Sequence, residues 1–86
     1  MKVVAKPIEV LAVFSTDGNI RPYRFRVESQ NHMQMIRVDR VICVEEERVA
    51  GIHAIHFDCR SRINDQEVMY QLRYQTHDCR WILFKI

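Results

Sequence analysis

Arginines at alternate positions are the feature of this 86-residue sequence that most directly suggests binding chemistry. Arg24 and Arg26 are two residues apart, as are Arg60 and Arg62. In the predicted second strand Arg24 and Arg26 point to the same face, which predicts two neighbouring guanidinium groups there. Arg60 and Arg62 flank a predicted turn. Guanidinium forms paired hydrogen bonds with phosphate or carboxylate groups. We expect phosphate or acidic-partner contacts from five residues: Arg24, Arg26, Arg60, Arg62 and Arg73.

These arginines could instead pair with acids inside the fold. The chain has eleven acidic residues against thirteen lysines and arginines, and its net charge is only +2. Each cross-strand pair would contribute ~0.2–1 kcal/mol. The expected acidic partners are Glu28, Asp39, Asp58 and Glu67. Both interpretations stay open, since a clustered and unpaired set would suit single-stranded nucleic acid whereas a paired set would not.

The histidines and cysteines form a second set of candidate ligands: His53, His56, Cys59, His77 and Cys79. Zinc sites typically use pairs of ligands that are separated by a few residues on a turn. His53 and His56 are three residues apart on a predicted strand and so point to opposite faces. His77 and Cys79 share a turn, where they could form half of a site completed by another chain. Within this chain we expect no metal and no cofactor.

Sequence motifs for catalysis are missing. The chain has two glycines, too few for a phosphate-binding loop, and neither a nucleophile elbow nor a paired-carboxylate signature occurs. Cys79 lies close to His77 in sequence, but no predicted helix end is there to activate its thiol. We therefore expect no catalytic residue and no enzymatic activity.

Cysteine usage and hydropathy bear on location. Three cysteines in a chain without a recognisable export signal indicate reduced thiols in the cytoplasm. No apolar run approaches the ~20 residues that a membrane helix needs, so we expect no membrane partner.

A hydrophobic period of two predicts an all-β domain over residues 1–86, with 1–7 as a loose N-terminal segment. Asp17-Gly18 is a strong hairpin signal, and the charged run 45–51 is predicted as a loop. Strands at this spacing are typical of a small antiparallel barrel or strongly bent sheet, SH3-like in type. The predicted strands are Ile8–Phe14, Ile20–Glu28, a third one bent near Asp39-Arg40 (Met33–Val44), Ile52–Arg60, Val68–Gln75 and Arg80–Ile86.

Strand periodicity also predicts which side chains face the core. In the second strand Tyr23, Phe25 and Val27 lie opposite the arginines and are expected in the core. The first and last strands are apolar on both faces, so either they close the barrel or one of them lies in a subunit interface. Self-association is an expectation for so short a chain, because its own core is thin. The candidate interface residues are Phe14, Ile82, Phe84 and Ile86.

Several short motifs, taken in order, resemble a family of small uncharacterised bacterial proteins. The motifs are Phe14-x-x-Asp17-Gly18-Asn19-Ile20-x-Pro22-x-x-Phe25, then Val38-Asp39-Arg40-Val41, then Cys59-Arg60, and finally Trp81. The resemblance covers nearly the whole chain after Ile8. It differs at Glu28, where the family pattern has Trp, and at Glu45–Glu47, where it has small residues. The resemblance transfers no catalytic residue and implies an association with DNA-repair polymerases.

The function expected from the sequence is therefore a non-catalytic binding or assembly module, weakly associated with nucleic acid. The alternative is a protein-interaction or self-assembling module without a nucleic-acid role. Joint exposure of Ile82, Phe84 and Ile86 would favour the alternative. Their burial, together with clustered and unpaired arginines, would favour nucleic acid.

Overall fold

Seven antiparallel strands form one sheet in the computed structural model, which describes residues 1–86 and, of their side chains, 1–28 and 30–86. The strands are β1 (Val3–Phe14), β2 (Ile20–Ser29), β3 (His32–Arg37), β4 (Arg40–Val49), β5 (Ile52–Ile63), β6 (Gln66–Gln75) and β7 (Arg80–Lys85). Their order across the sheet is β3-β2-β1-β7-β6-β5-β4. The all-β, antiparallel prediction is confirmed. Over the described residues, no helix is long and apolar enough to cross a membrane.

The predicted third strand, Met33–Val44, is in fact two strands at opposite edges of the sheet. β3 ends at Arg37 and β4 begins at Arg40, so the sheet has seven strands where six were predicted. β4 also includes the acidic run Glu45–Glu47, which the sequence predicts as a loop. An edge strand tolerates such charges because much of it faces water, and charged side chains discourage pairing with other chains. At the other end, β1 begins at Val3 and takes in most of the segment 1–7.

The sheet is strongly bent, but it does not close into a barrel: over residues 1–86 no strand ladder joins β3 to β4. The bend lies in β1, which changes partner half-way along. Ile8 pairs with Trp81 of β7, whereas Glu9 pairs with Arg26 of β2. The concave face holds one cluster of buried side chains: Phe25, Val27, Ile36, Val38, Phe57, Cys59, Tyr70, Leu72, Tyr74, Trp81 and Leu83.

A buried hydrogen-bond network holds the β3–β4 connection against β5. Ser61, 1% exposed, donates its hydroxyl proton to the Arg37 carbonyl oxygen at 2.6 Å. Because that proton is used, the Tyr70 hydroxyl is the donor in its own hydrogen bond to Ser61. Burial raises the pKa of Tyr70, which keeps this donor protonated. Alongside, the Arg62 amide donates to Oδ2 of Asp39 at 2.7 Å.

Removal of the Ser61 hydroxyl should destabilise the fold. Ser61→Ala leaves the Arg37 carbonyl and the Tyr70 hydroxyl without their partner, a loss of about 1–3 kcal/mol in the free energy of unfolding. Urea unfolding would show a lower midpoint with an unchanged slope. Thr16→Ala, in the exposed β1–β2 turn, is the matched control and should shift stability by less than about 0.5 kcal/mol. Equal midpoints for the two variants would show that the connection is held by other contacts.

Candidate anion-binding cleft

A cleft of about 350 Å³ opens beside the β3–β4 connection. It is formed where the beginning of β2 meets the end of β3 and the beginning of β4. Its polar and aromatic lining consists of three arginines, one acid and one tyrosine: Arg21, Arg37, Arg40, Asp39 and Tyr23. The bend of the sheet brings these residues together, since β2 and β3 lie at one edge and β4 at the other.

A β-bulge in β2 turns Tyr23 out of the core. Leu11 pairs with Arg24 and Ala12 pairs with Pro22, which leaves Tyr23 as the extra residue. The Pro22 side chain is fully buried, whereas Tyr23 is 40% exposed. One inserted residue reverses the alternation of faces beyond it, so Pro22 takes the inward position that the pattern assigns to its neighbour.

The core prediction for β2 is confirmed for Phe25 and Val27, which are buried, and wrong for Tyr23. Strict alternation places all three on one face, and a slip of one residue is invisible to that pattern. The Val38 amide donates to the Tyr23 carbonyl at 2.9 Å, so the bulge is hydrogen-bonded to the β3–β4 connection.

Three of the five predicted arginines lie close to the cleft, and each is next to a feature of its lining. Arg24 is the cross-strand partner of Arg37, and Arg60 is the cross-strand partner of Arg40. The backbone amide of Arg62 donates a hydrogen bond to the Asp39 carboxylate in the β3–β4 connection. Spacing along the sequence does not predict the grouping of Arg21, Arg37 and Arg40, because they become neighbours only when the two edges of the sheet meet.

The other two predicted arginines lie elsewhere. Arg26 forms an ion pair with Glu9 on β1. Arg73 lies on β6, with its guanidinium carbon 3.7 Å from the centroid of the Phe84 ring. Both are therefore engaged within the fold, Arg26 by charge and Arg73 by a cation–π contact.

Of the four acids predicted to pair with the five arginines, one does so among the described side chains: Glu67 lies 2.7 Å from Nε of Arg60. Asp39 lies 3.8 Å from Nε of Arg37, which is not one of the five. Asp58 instead accepts a hydrogen bond from Gln71 at 2.9 Å. Cross-strand pairing therefore neutralises part of the arginine set and leaves the remainder charged.

The cleft keeps an excess of positive charge. Its only carboxylate among the described side chains is that of Asp39, which offsets one of three arginines. Arg21 and Arg40 take part in no ion pair with any described carboxylate. An anion that enters the cleft would meet two guanidinium groups that are not ion-paired, with Asp39 as the one carboxylate among the described lining residues.

The acidic run Glu45–Glu47 is too far along β4 to oppose such an anion. Glu45 is five residues from Arg40, about 17 Å at the ~3.3 Å rise per residue of a strand. Charges at the surface are screened beyond about 8 Å at physiological ionic strength. The run faces β5 instead, where the Glu47 carboxylate lies 2.8 Å from Nε2 of His56.

The candidate metal ligands are dispersed. Within the described residues no three His, Cys, Asp or Glu side chains form a group that could hold a metal ion. His53 lies 3.0 Å from the Thr76 hydroxyl, and His77 lies 3.6 Å from the carboxylate of Asp78. Cys59 is fully buried, and burial raises the pKa of its thiol to about 12, so it stays protonated at neutral pH.

The predicted interface residues do not form one exposed surface. Ile82 and Phe84 are half-buried on the outer face of β7, and Ile86 is 38% exposed at its end. Phe14 is exposed, with its ring centroid 6.0 Å from that of Tyr74. Exposed apolar side chains also occur on β1 and β3, where Leu11 and Met35 line a common groove.

A comparison of the chain with protein-family models, with curated proteins and with solved structures finds no match. The family resemblance of the sequence motifs therefore stays a prediction, and the geometry of the cleft is the basis for a functional assignment.

Acid should destabilise the protein through His56. Its Nε2 is buried and lies near Glu47 outside hydrogen-bonding geometry. Burial and the nearby Arg73 guanidinium lower its pKa below the ordinary 6.5, although Glu45, Glu47 and Asp58 act in the opposite direction. The unfolded chain therefore binds this proton more readily. The stability is fully present above about pH 6.5 and is lost as the pH falls below that value.

The measurement is the urea midpoint at about pH 7.5 and about pH 5. His56→Gln should reduce the fall in midpoint between the two values. The matched control is His32→Gln, because His32 is exposed at the start of β3. An equal fall in the parent chain and in His56→Gln would contradict the assignment.

Proposed function

We propose that this chain is a non-catalytic binding module that takes a polyanion, single-stranded nucleic acid, at the cleft lined by Arg21, Arg37 and Arg40. The observation that carries the proposal is the convergence of these arginines around a single carboxylate, that of Asp39. Arginine is suited to the role because its planar guanidinium stays charged and binds phosphate oxygens in pairs.

Two like-charged cross-strand pairs flank the cleft. Arg24 lies opposite Arg37, and Arg40 lies opposite Arg60. Like charges directly opposite each other destabilise a sheet. Of the four side chains, Arg37 and Arg60 have an acid nearby, at 3.8 and 2.7 Å. A phosphate ligand would relieve the remaining repulsion, which supports a role in anion binding.

The expected affinity is modest and depends on salt. Three arginines can contact about three phosphates, and single strands lose ~0.7 units of log K per phosphate for each unit of log salt. The slope for this cleft should then be about −2. A site with so few phosphate contacts suits an accessory protein that binds weakly and exchanges quickly.

Fluorescence anisotropy with labelled single-stranded DNA and RNA, over a salt series, tests the proposal. Arg21→Ala combined with Arg40→Ala should weaken binding and reduce the steepness of the salt dependence by about 1.4, since two phosphate contacts are lost. Arg48→Ala combined with Arg80→Ala is the matched control. It removes the same charge from exposed positions outside the cleft lining and should leave the slope nearly unchanged.

Two outcomes would contradict the proposal. The parent chain could fail to bind either strand at low salt. Alternatively, the control pair could lower the slope as much as the cleft pair, which would assign binding to overall charge and not to the cleft.

A second candidate function, self-assembly, is favoured by the exposed apolar side chains of β1 and β3. Leu11 and Met35 border a groove of about 290 Å³ on the outer face, together with Arg24, Arg26 and Glu9. Both apolar side chains are more than half exposed, at 61% and 54%. A second copy of the chain would remove this apolar surface from water, as small domains often require.

If the chain self-assembles, sedimentation should show the parent chain as a dimer at tens of micromolar. The double variant with Leu11→Glu and Met35→Glu should sediment as a monomer. A charge placed in a desolvated apolar contact opposes association. Val49→Glu with Ile52→Glu is the matched control, because both residues are similarly exposed at the β4–β5 turn. A monomeric parent chain would remove the candidate.

Two finer expectations accompany the proposal. An SH3-like architecture is supported by the strand β1, which is shared between the two halves of the bent sheet. A cytoplasmic location is supported by the free thiols of Cys43, Cys59 and Cys79, which persist in a reducing compartment.

A further inference from the structure

Tyr23 is the one aromatic side chain that the structure moves from an expected core position into the cleft. The bulge at this position replaces it in the core by Pro22. The Tyr23 side chain is 40% exposed, so its ring can be reached from solvent. Bulges frequently occur beside binding sites, where they re-aim a side chain. The exposed ring therefore suits a ligand that stacks on an aromatic surface.

The Tyr23 ring is in contact with the side chain of Arg24. The guanidinium carbon of Arg24 lies 5.0 Å from the Tyr23 ring centroid, within the range of a cation–π contact. Nε of Arg24 is buried and has no hydrogen-bond partner among the described residues, which fits a guanidinium engaged in packing. Arg24 thus contacts the ring, while Arg21, Arg37 and Arg40 surround the space beside it.

We infer that Tyr23 is a base-stacking platform, so that the cleft recognises one unpaired nucleobase together with its flanking phosphates. This inference rests on the proposed function and adds to it a contact with the base, beside the contacts with phosphate. A volume of about 350 Å³ is near the lower end of small-ligand pockets, ~300–1,000 Å³, and suits one nucleotide. Bases stack on exposed aromatic rings in proteins that bind single strands, whereas the bases of a duplex are already stacked on each other. A single strand is therefore the preferred ligand.

The test compares three ligands of equal length by competition at fixed salt: a single-stranded oligonucleotide, the same strand built entirely of abasic sites, and a duplex. The parent chain should bind the intact strand more tightly than the other two. Tyr23→Ala and Tyr23→Leu should each weaken binding of the intact strand by about 5- to 150-fold, as expected for one stacked base. Both should leave the affinity for the abasic strand unchanged, and Tyr23→Phe should retain parent-like binding.

The possible outcomes distinguish the stacking role of Tyr23 from the proposed binding of phosphate at the cleft. Equal affinity of the parent chain for intact and abasic strands would overturn the stacking role and leave a phosphate-binding cleft standing. A loss of abasic-strand binding in Tyr23→Leu equal to its loss of intact-strand binding would also overturn it, because the substitution would then act through the shape of the cleft. Failure of the parent chain to bind any of the three ligands would overturn both statements.

Discussion

The connection between β3 and β4 has two residues, Val38-Asp39, yet it joins strands at opposite edges of a seven-stranded sheet. In a flat sheet those edges would be about 29 Å apart, at ~4.8 Å per strand. The three Cα steps from Arg37 to Arg40 span at most about 11 Å. The sheet must therefore bend until its edges meet. The change of partner in β1 permits that bend, and the buried Ser61 hydroxyl fixes it by binding the Arg37 carbonyl at the meeting point.

The same constraint creates the cleft. A short connection brings Arg37 and Arg40 together from strands that would otherwise be far apart, and the bulge in β2 places Tyr23 beside them. The repulsion between Arg37 and Arg40 is partly offset by Asp39, whose carboxylate also accepts a hydrogen bond from the Arg62 amide. Asp39 thus serves the fold and the charge balance of the cleft together. The hydrogen bond from Ser61 that stabilises the fold ends on the segment 37–40, and the same segment supplies residues proposed for binding. A substitution in this segment would therefore alter both stability and binding.

A feature can be predicted from the sequence when the residues that determine it lie close together along the chain. Alternation within β5, β6 and β7 correctly placed Phe57, Leu72 and Trp81 in strands of an antiparallel sheet, because each pattern is local. The division of Met33–Val44 was not predictable in this way, since Arg37-Val38-Asp39-Arg40 can read either as a bend within one strand or as a crossing between edges. The exposure of Tyr23 was not predictable for a related reason. One inserted residue changes the face on which a side chain lies without changing the composition or the period of the strand.

The position of the cleft on strands and a tight connection explains how a small site could bind at all. Each arginine side chain that is immobilised on binding costs about 0.5–1.5 kcal/mol, whereas a hydrogen bond to a charged group contributes about 1.5–3 kcal/mol. The balance for Arg21 and Arg40 is favourable but small, because long side chains lose much of what they gain. Tyr23 has fewer rotatable bonds and is already in contact with Arg24 and hydrogen-bonded through its backbone to Val38, so a stacked base adds affinity with little loss of side-chain freedom. Phosphate contacts alone would leave the cleft a weak and unselective site, and the ordered ring is the element that can make it discriminate between polyanions.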